Sequence, residues 1–104
     1  MRKANVFVNN IGAGILSEWD FGKKYSFEYL GNYTGMSVSL TMPVRQKAYE
    51  FDSFPPFFDG LLPEGYQLDG LLRIRKIDHN DFFSQLVAVG DDLVGNVTVK
   101  ELLP

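Results

Sequence analysis

Phe57-Phe58-Asp59-Gly60-Leu61-Leu62-Pro63-Glu64-Gly65-Tyr66 is the stretch on which the fold of this chain turns. Phe54, Phe57, Phe58, Leu61 and Leu62 fall at helical spacings, whereas everything before them repeats every second residue. Pro55-Pro56 fits a helix only in its first turn, where a missing N–H costs nothing, so Ser53 or Asp52 is the expected N-cap. Pro63 stops this helix within two turns, and Glu64-Gly65 opens another. Leu68, Leu71, Leu72 and Ile77 form the apolar stripe of that second helix. Asp69, Arg73, Arg75 and Lys76 take its other face, with the cations at the C-terminal end that the helix dipole favours.

Upstream, the pattern is that of strands. Ala4, Val6 and Val8 share one face and Asn5, Phe7 and Asn9 the other, with Phe7 suggesting cover on both sides. Asn9-Asn10-Ile11-Gly12 tolerates positive φ and predicts a hairpin into a second strand over 13–19. Lys24 to Tyr29 alternates polar with aromatic, a half-buried strand. A fourth strand is predicted at 37–42, with Val38, Leu40 and Met42 on one face and Pro43 as its end or edge mark. Downstream of the two helices, Asn80 or Asp81 caps a third with Phe82, Phe83, Leu86 and Val87 inward, closed by Gly90. Gly95 to Lys100 is the last strand. Strands, then helices, then a returning strand predict an α+β fold: one two-layer domain over residues 1–104, a small antiparallel sheet of about five strands packed on two or three helices.

The 104 residues carry a net charge of −3, no cysteine, and 9 Phe, 5 Tyr and 1 Trp, enough for one core without disulfides. Thiol catalysis, cysteine-ligated zinc and iron–sulfur chemistry are excluded. The longest apolar run is Leu86 to Val89, and no secretory core follows Met1, so the expectation is a cytoplasmic protein without a membrane role. The single histidine, His79, sits in a break between helices and reads as a loop residue beside a cap, and Asp78 and Asp81 beside it make a weak metal set. Gly90 to Gly95 lacks the lysine and hydroxyl of a phosphate-binding loop. Arg73, Arg75 and Lys76 are too few, and too diluted by Asp69, Asp78 and Asp81, for strong nucleic-acid binding. No catalytic, cofactor or metal residues are therefore assigned. Surface for another protein remains. Tyr66, just beyond a Pro-Glu-Gly break, either stands out as an interface anchor or folds back over the Phe57/Phe58 helix.

The string Phe57 to Gly65 resembles the Phe-Phe-(Asp/Glu)-x-Leu-Leu-Pro-(Asp/Glu) signature of the HipA family's N-terminal region. Asp81-Phe82-Phe83-Ser84-Gln85-Leu86, with Val89 to Val97 after it, is similar to that family's Phe-x-Leu-Leu…Gly-x-Asp-x-x-Gly-Ala-Val stretch. Val8-Asn9-Asn10, Gly14-Ile15-Leu16 and Leu40-Thr41-Met42-Pro43 match more loosely. HipA-like proteins are serine/threonine kinase toxins paired with a helix-turn-helix, HipB-like antitoxin, and their catalytic residues lie in a C-terminal kinase domain. The resemblance reaches only the first N-terminal subdomain. It therefore implies a non-enzymatic chain without cofactors, similar to the HipS-like antitoxins of three-component HipBST systems. Such a chain neutralises a separately encoded HipT kinase by binding it, with DNA contact left to a HipB-like partner in a ternary complex. The alternative implied is a non-catalytic N-terminal component of the toxin itself, aiding its folding, assembly or substrate recognition. Asn96, and Gly65-Tyr66 after the Pro-Glu step, depart from the family pattern. The candidate partner-binding residues are Pro63, Glu64, Gly65, Tyr66 and Gln67, with Asp91 and Asp92 of the turn that follows the third helix.

Overall fold

In a computed structural model of the chain, which describes residues 1–93 and 95–103, the first alternation is realised as β1 (Arg2–Val8) and β2 (Ile11–Asp20). They join through Asn9 and Asn10 at φ of 51° and 66°, the pair of left-handed residues that a two-residue hairpin requires. Strand β3 (Lys24–Tyr29) runs antiparallel to β2, with Leu16 opposite Phe27. The sheet is completed by β4 (Ala48–Phe51) at one edge and β5 (Val97–Leu102) at the other, in the order β4-β3-β2-β1-β5. Period-two patterning puts Ala4, Val6, Val8, Leu16, Tyr25, Phe27, Tyr29, Val97 and Val99 on one buried face. The opposite face carries Asn5, Ile15, Ser26 and Glu28, all half-buried or exposed. Phe7 is half-buried on that face, not covered on both sides as its size suggests.

The predicted strand at 37–42 is not a strand of the sheet. It holds only an isolated bridge between Ser39 and Met42, and the fourth strand lies downstream, where Phe27 faces Tyr49. Val38 and Met42 are buried as alternation requires, but Leu40 between them is 99% exposed. The physical reason is that this backbone finds side-chain partners instead of a neighbouring strand. Val38 N–H donates to the Tyr29 hydroxyl (2.9 Å), which itself donates to the Met42 carbonyl. The Tyr49 hydroxyl donates to the Pro43 carbonyl (2.6 Å), and Val44 N–H to Ser37 Oγ (2.9 Å).

Of the three helices, two send side chains into the core over the buried face. Helix α1 (Pro56–Asp59) starts from Pro55 as N-cap, with Pro56 in the first turn as expected. Neither Asp52 nor Ser53 caps it, because two successive prolines leave few orphan N–H groups there for a side chain to satisfy. Phe58 is fully buried against Phe27, and Phe54 packs edge-on to Tyr25 at 5.3 Å between ring centroids. Helix α2 (Gly65–Arg75) ends on Lys76 in the left-handed conformation (φ 55°), with Ile77 N–H returning to the Leu72 carbonyl. Its stripe of Leu68, Leu71 and Leu72 is only half-buried, and no residue of α2 is buried.

Helix α3 (Phe82–Ala88) is capped by Asp81, whose carboxylate accepts from Ser84 N–H at 3.1 Å. Phe83 and Leu86 enter the core, and Gln85 goes in beside them because its amide can donate to the carbonyls of Asp78 (3.3 Å) and His79 (3.0 Å). Gly90 closes the helix through a close approach. A Cβ there would lie 1.9 Å from the Val99 carbonyl oxygen, and Val99 N–H donates to the Gly90 carbonyl at 3.1 Å. Strand β5 starts at Val97, two residues after the expected Gly95. No helix among the described residues is long and apolar enough to cross a membrane. Val94, within the predicted glycine-spaced turn, lies outside the described residues.

Candidate partner-binding site

The connection between α1 and α2 is a rigid corner. Leu61 N–H returns to the Phe58 carbonyl and Leu62 N–H to that of Asp59, both at 3.1 Å, so the chain reaches Pro63 still coiled. Glu64 is extended (φ −131°, ψ 163°), and Gly65 at φ 57° makes the turn into α2 that an L side chain resists. Tyr66 does not fold back over α1 but projects into solvent, 95% exposed.

Beside Tyr66 runs an open groove of about 640 Å³, walled by Leu61, Leu62 and Pro63 on one side. Leu71 and Ile74 of α2 and Leu93 beyond α3 continue its apolar lining. Pro63, Tyr66, Gln67 and Asp92, four of the expected partner-binding residues, line this one groove. Glu64 and Gly65 shape the corner without lining the groove, both exposed. Asp91 turns away, beside Phe7, Asn10 and Lys100. Ile74 escaped the sequence reading, since it falls off the leucine stripe, yet it is 79% exposed at the groove. A large β-branched residue on a helix's outward face is the signal that identifies it.

A second polar cluster, also missed, fastens the sheet to α3. Arg2 donates to Glu18 Oε1 (2.7 Å), to Asp81 Oδ1 (2.9 Å) and to Ser84 Oγ (2.8 Å). Its guanidinium stacks over Phe83 at 4.8 Å and Phe21 at 5.1 Å. Glu18, only 4% exposed, also accepts from the Tyr25 hydroxyl at 2.9 Å. Burial opposes ionisation of Asp81, but the hydrogen bonds from Arg2 and Ser84 outweigh it and hold the carboxyl below its ordinary range. Burial, reinforced by the hydrogen bond to Glu18, pushes the Tyr25 hydroxyl far above its ordinary value. Strand parity would have revealed the cluster: Arg2 is in step with Ala4 and Val6, and Glu18 with Leu16, so both charges point to the core side. Its chemistry is that of a clamp, because each acid is already committed to a donor.

The remaining polar candidates stay apart. His79 is exposed, and Arg73, Arg75 and Lys76 are solvated at the end of α2, Arg75 reaching only the Ala88 carbonyl at 3.5 Å. Among the described residues no group of three or more His, Asp or Glu side chains converges to hold a metal ion.

The five-stranded α+β fold thus carries an exposed tyrosine beside an apolar groove. Residues 4–100 match the family model of the HipA N-terminal domain, and the chain belongs to that family. A protein of Haemophilus influenzae (strain ATCC 51907 / DSM 11121 / KW20 / Rd), described only as uncharacterized, is 31% identical over 101 residues, spanning 97% of this chain and 93% of its own length. Among solved structures the fold is similar to the N-terminal domain of HipA toxin, with a TM-score of 0.77 and 28% identity, over 99% of this chain and 94% of that one.

Proposed function

We propose that this chain is a single binding module that neutralises a HipA-like (HipT) serine/threonine kinase by direct contact in the cytoplasm. It performs no chemistry of its own and acts in a complex that includes a HipB-like helix-turn-helix protein. The observation that carries the reading is Tyr66, 95% exposed beside the groove that also gathers Pro63, Gln67 and Asp92, in a member of the HipA N-terminal domain family. A rigid aromatic with few rotamers to freeze, next to an apolar cleft, is how a small protein anchors on a larger one. Likeness to the N-terminal domain of HipA toxin favours a second reading, in which the module helps the kinase assemble or select its substrate.

Co-expression separates the two. The chain is produced together with a HipA-like kinase, and growth is followed. Rescue that weakens with Tyr66→Ala supports neutralisation. Undiminished killing, or killing made worse, supports the toxin-component reading.

A further inference from the structure

We propose that residues 30–47 form a second contact surface, which seats Leu40 in an apolar pocket rimmed by carboxylates on the kinase. This rests on the reading that the chain binds such a kinase, and it concerns a surface that shares no lining residue with the Tyr66 groove.

The loop is built to hold an apolar residue out of the protein. Leu40 is 99% exposed, while its flanking neighbours in the alternation, Val38 and Met42, are buried at 6% and 2%. Both legs of the turn are buckled by one hydroxyl, that of Tyr29, which accepts from Val38 N–H and donates to the Met42 carbonyl. The tip is tied within itself: Met42 N–H donates to the Ser39 carbonyl (3.1 Å), and Thr41 N–H to Ser39 Oγ (3.2 Å). On a regular strand or helix, register alone can turn a leucine outward. Here the register is set by buried tyrosines and by nothing that needs a leucine at the tip. Because the turn is already ordered, seating Leu40 in a pocket does not cost the entropy of freezing a loop.

Charge identifies the pocket's rim. Residues 30–47 contain no Asp or Glu and carry two cations, Arg45 and Lys47, in a chain whose net charge is −3. Both cations are exposed, and neither joins an ion pair among the described residues. A partner surface that accepts an apolar tip from a segment carrying two unpaired cations is an apolar pocket with acidic edges.

The test uses the full chain and the same kinase, with affinity measured by titration. Leu40→Asp is expected to weaken binding roughly tenfold or more, the scale of expelling a buried leucine from an interface. Its thermal midpoint should match the parent, since the side chain touches nothing in the fold. Arg45→Glu with Lys47→Glu should slow association most at low salt. Parent-like affinity of Leu40→Asp, with Tyr66→Ala still weakened, overturns this proposal and leaves the proposed function standing. Absence of binding by the parent chain overturns both. Flotation of the chain on vesicles containing phosphatidylglycerol, lost in Leu40→Asp, would assign the tip to a membrane surface and also overturn the proposal.

Discussion

Replacing Arg2 with Met keeps a side chain of similar reach across Phe21 and Phe83 but removes every donor of the clamp. What it leaves behind sets the cost. Glu18 is 4% exposed and keeps the Tyr25 hydroxyl at 2.9 Å and Gly22 N–H at 3.3 Å. Stripping one partner from a buried ion pair costs about 3–5 kcal/mol when the remaining charge is stranded. Here two donors persist, and the Arg2 side chain is itself 28% exposed in its pairing with Glu18. The expected loss is therefore about 2–3 kcal/mol. For a chain of 104 residues that lowers the thermal midpoint by roughly 10–20 °C. Urea unfolding followed by circular dichroism reads it as a lower midpoint at constant slope. Adding Glu18→Gln to Arg2→Met should recover part of the loss, since the stranded charge is gone. A single variant within about 0.5 kcal/mol of the parent would refute the reasoning, as that is the range of ordinary surface changes. Acid offers a second readout. The folded-state pKa of Asp81 lies below its unfolded value, so its contribution is present above about pH 4 and lost as pH falls through the depressed value. Arg2→Met should flatten that acid limb.

Three other expectations follow from the packing and the corner. Gly90→Ala puts a Cβ 1.9 Å from the Val99 carbonyl oxygen, a backbone atom that cannot swing away, so α3 must separate from β5. The loss should be at least 2–3 kcal/mol in urea titration, at the severe end of single substitutions. The Tyr25 hydroxyl has a folded-state pKa raised above its unfolded value, so its contribution holds below about pH 10 and disappears as pH climbs beyond it. In Tyr25→Phe stability should therefore fall less steeply above about pH 10 than in the parent, while the lost hydrogen bond to Glu18 lowers it already at neutral pH. Tyr66→Ala should leave stability within about 0.5 kcal/mol, because the ring contributes nothing to the core, while weakening rescue from the kinase.

Much of the architecture was legible from periodicity alone. β1, β2 and β3 follow the alternation, the Asn9-Asn10 hairpin has the required positive φ, and α2 begins where Glu64-Gly65 places it. Misassignment came where long-range hydrogen bonds replaced local ones. Ser37 to Met42 alternates as a strand would, but the Tyr29 hydroxyl takes the Met42 carbonyl and the Tyr49 hydroxyl that of Pro43 just after it, and a four-residue strand containing Glu50 pairs with β3 instead. Local pattern carries no trace of a hydroxyl arriving from another strand. The α1 cap failed for a related reason, since Pro55 and Pro56 remove the N–H groups that Ser53 or Asp52 would have served. At the candidate site, the Pro63–Gln67 corner was visible as a break with an aromatic after it, whereas its union with Asp92 and Ile74 depends on how α2 lies against the turn after α3. Asp91 shows the limit of sequence adjacency, as it points to the opposite side of that turn from Asp92.

The most direct measurement is a titration of the purified chain into purified HipA-like kinase, with phosphoryl transfer assayed on the same samples. The expected result is a saturable complex in which transfer falls as the chain is added, with Tyr66→Ala requiring more protein for the same inhibition. A kinase that stays fully active while bound, or that does not bind at all, would contradict neutralisation by contact.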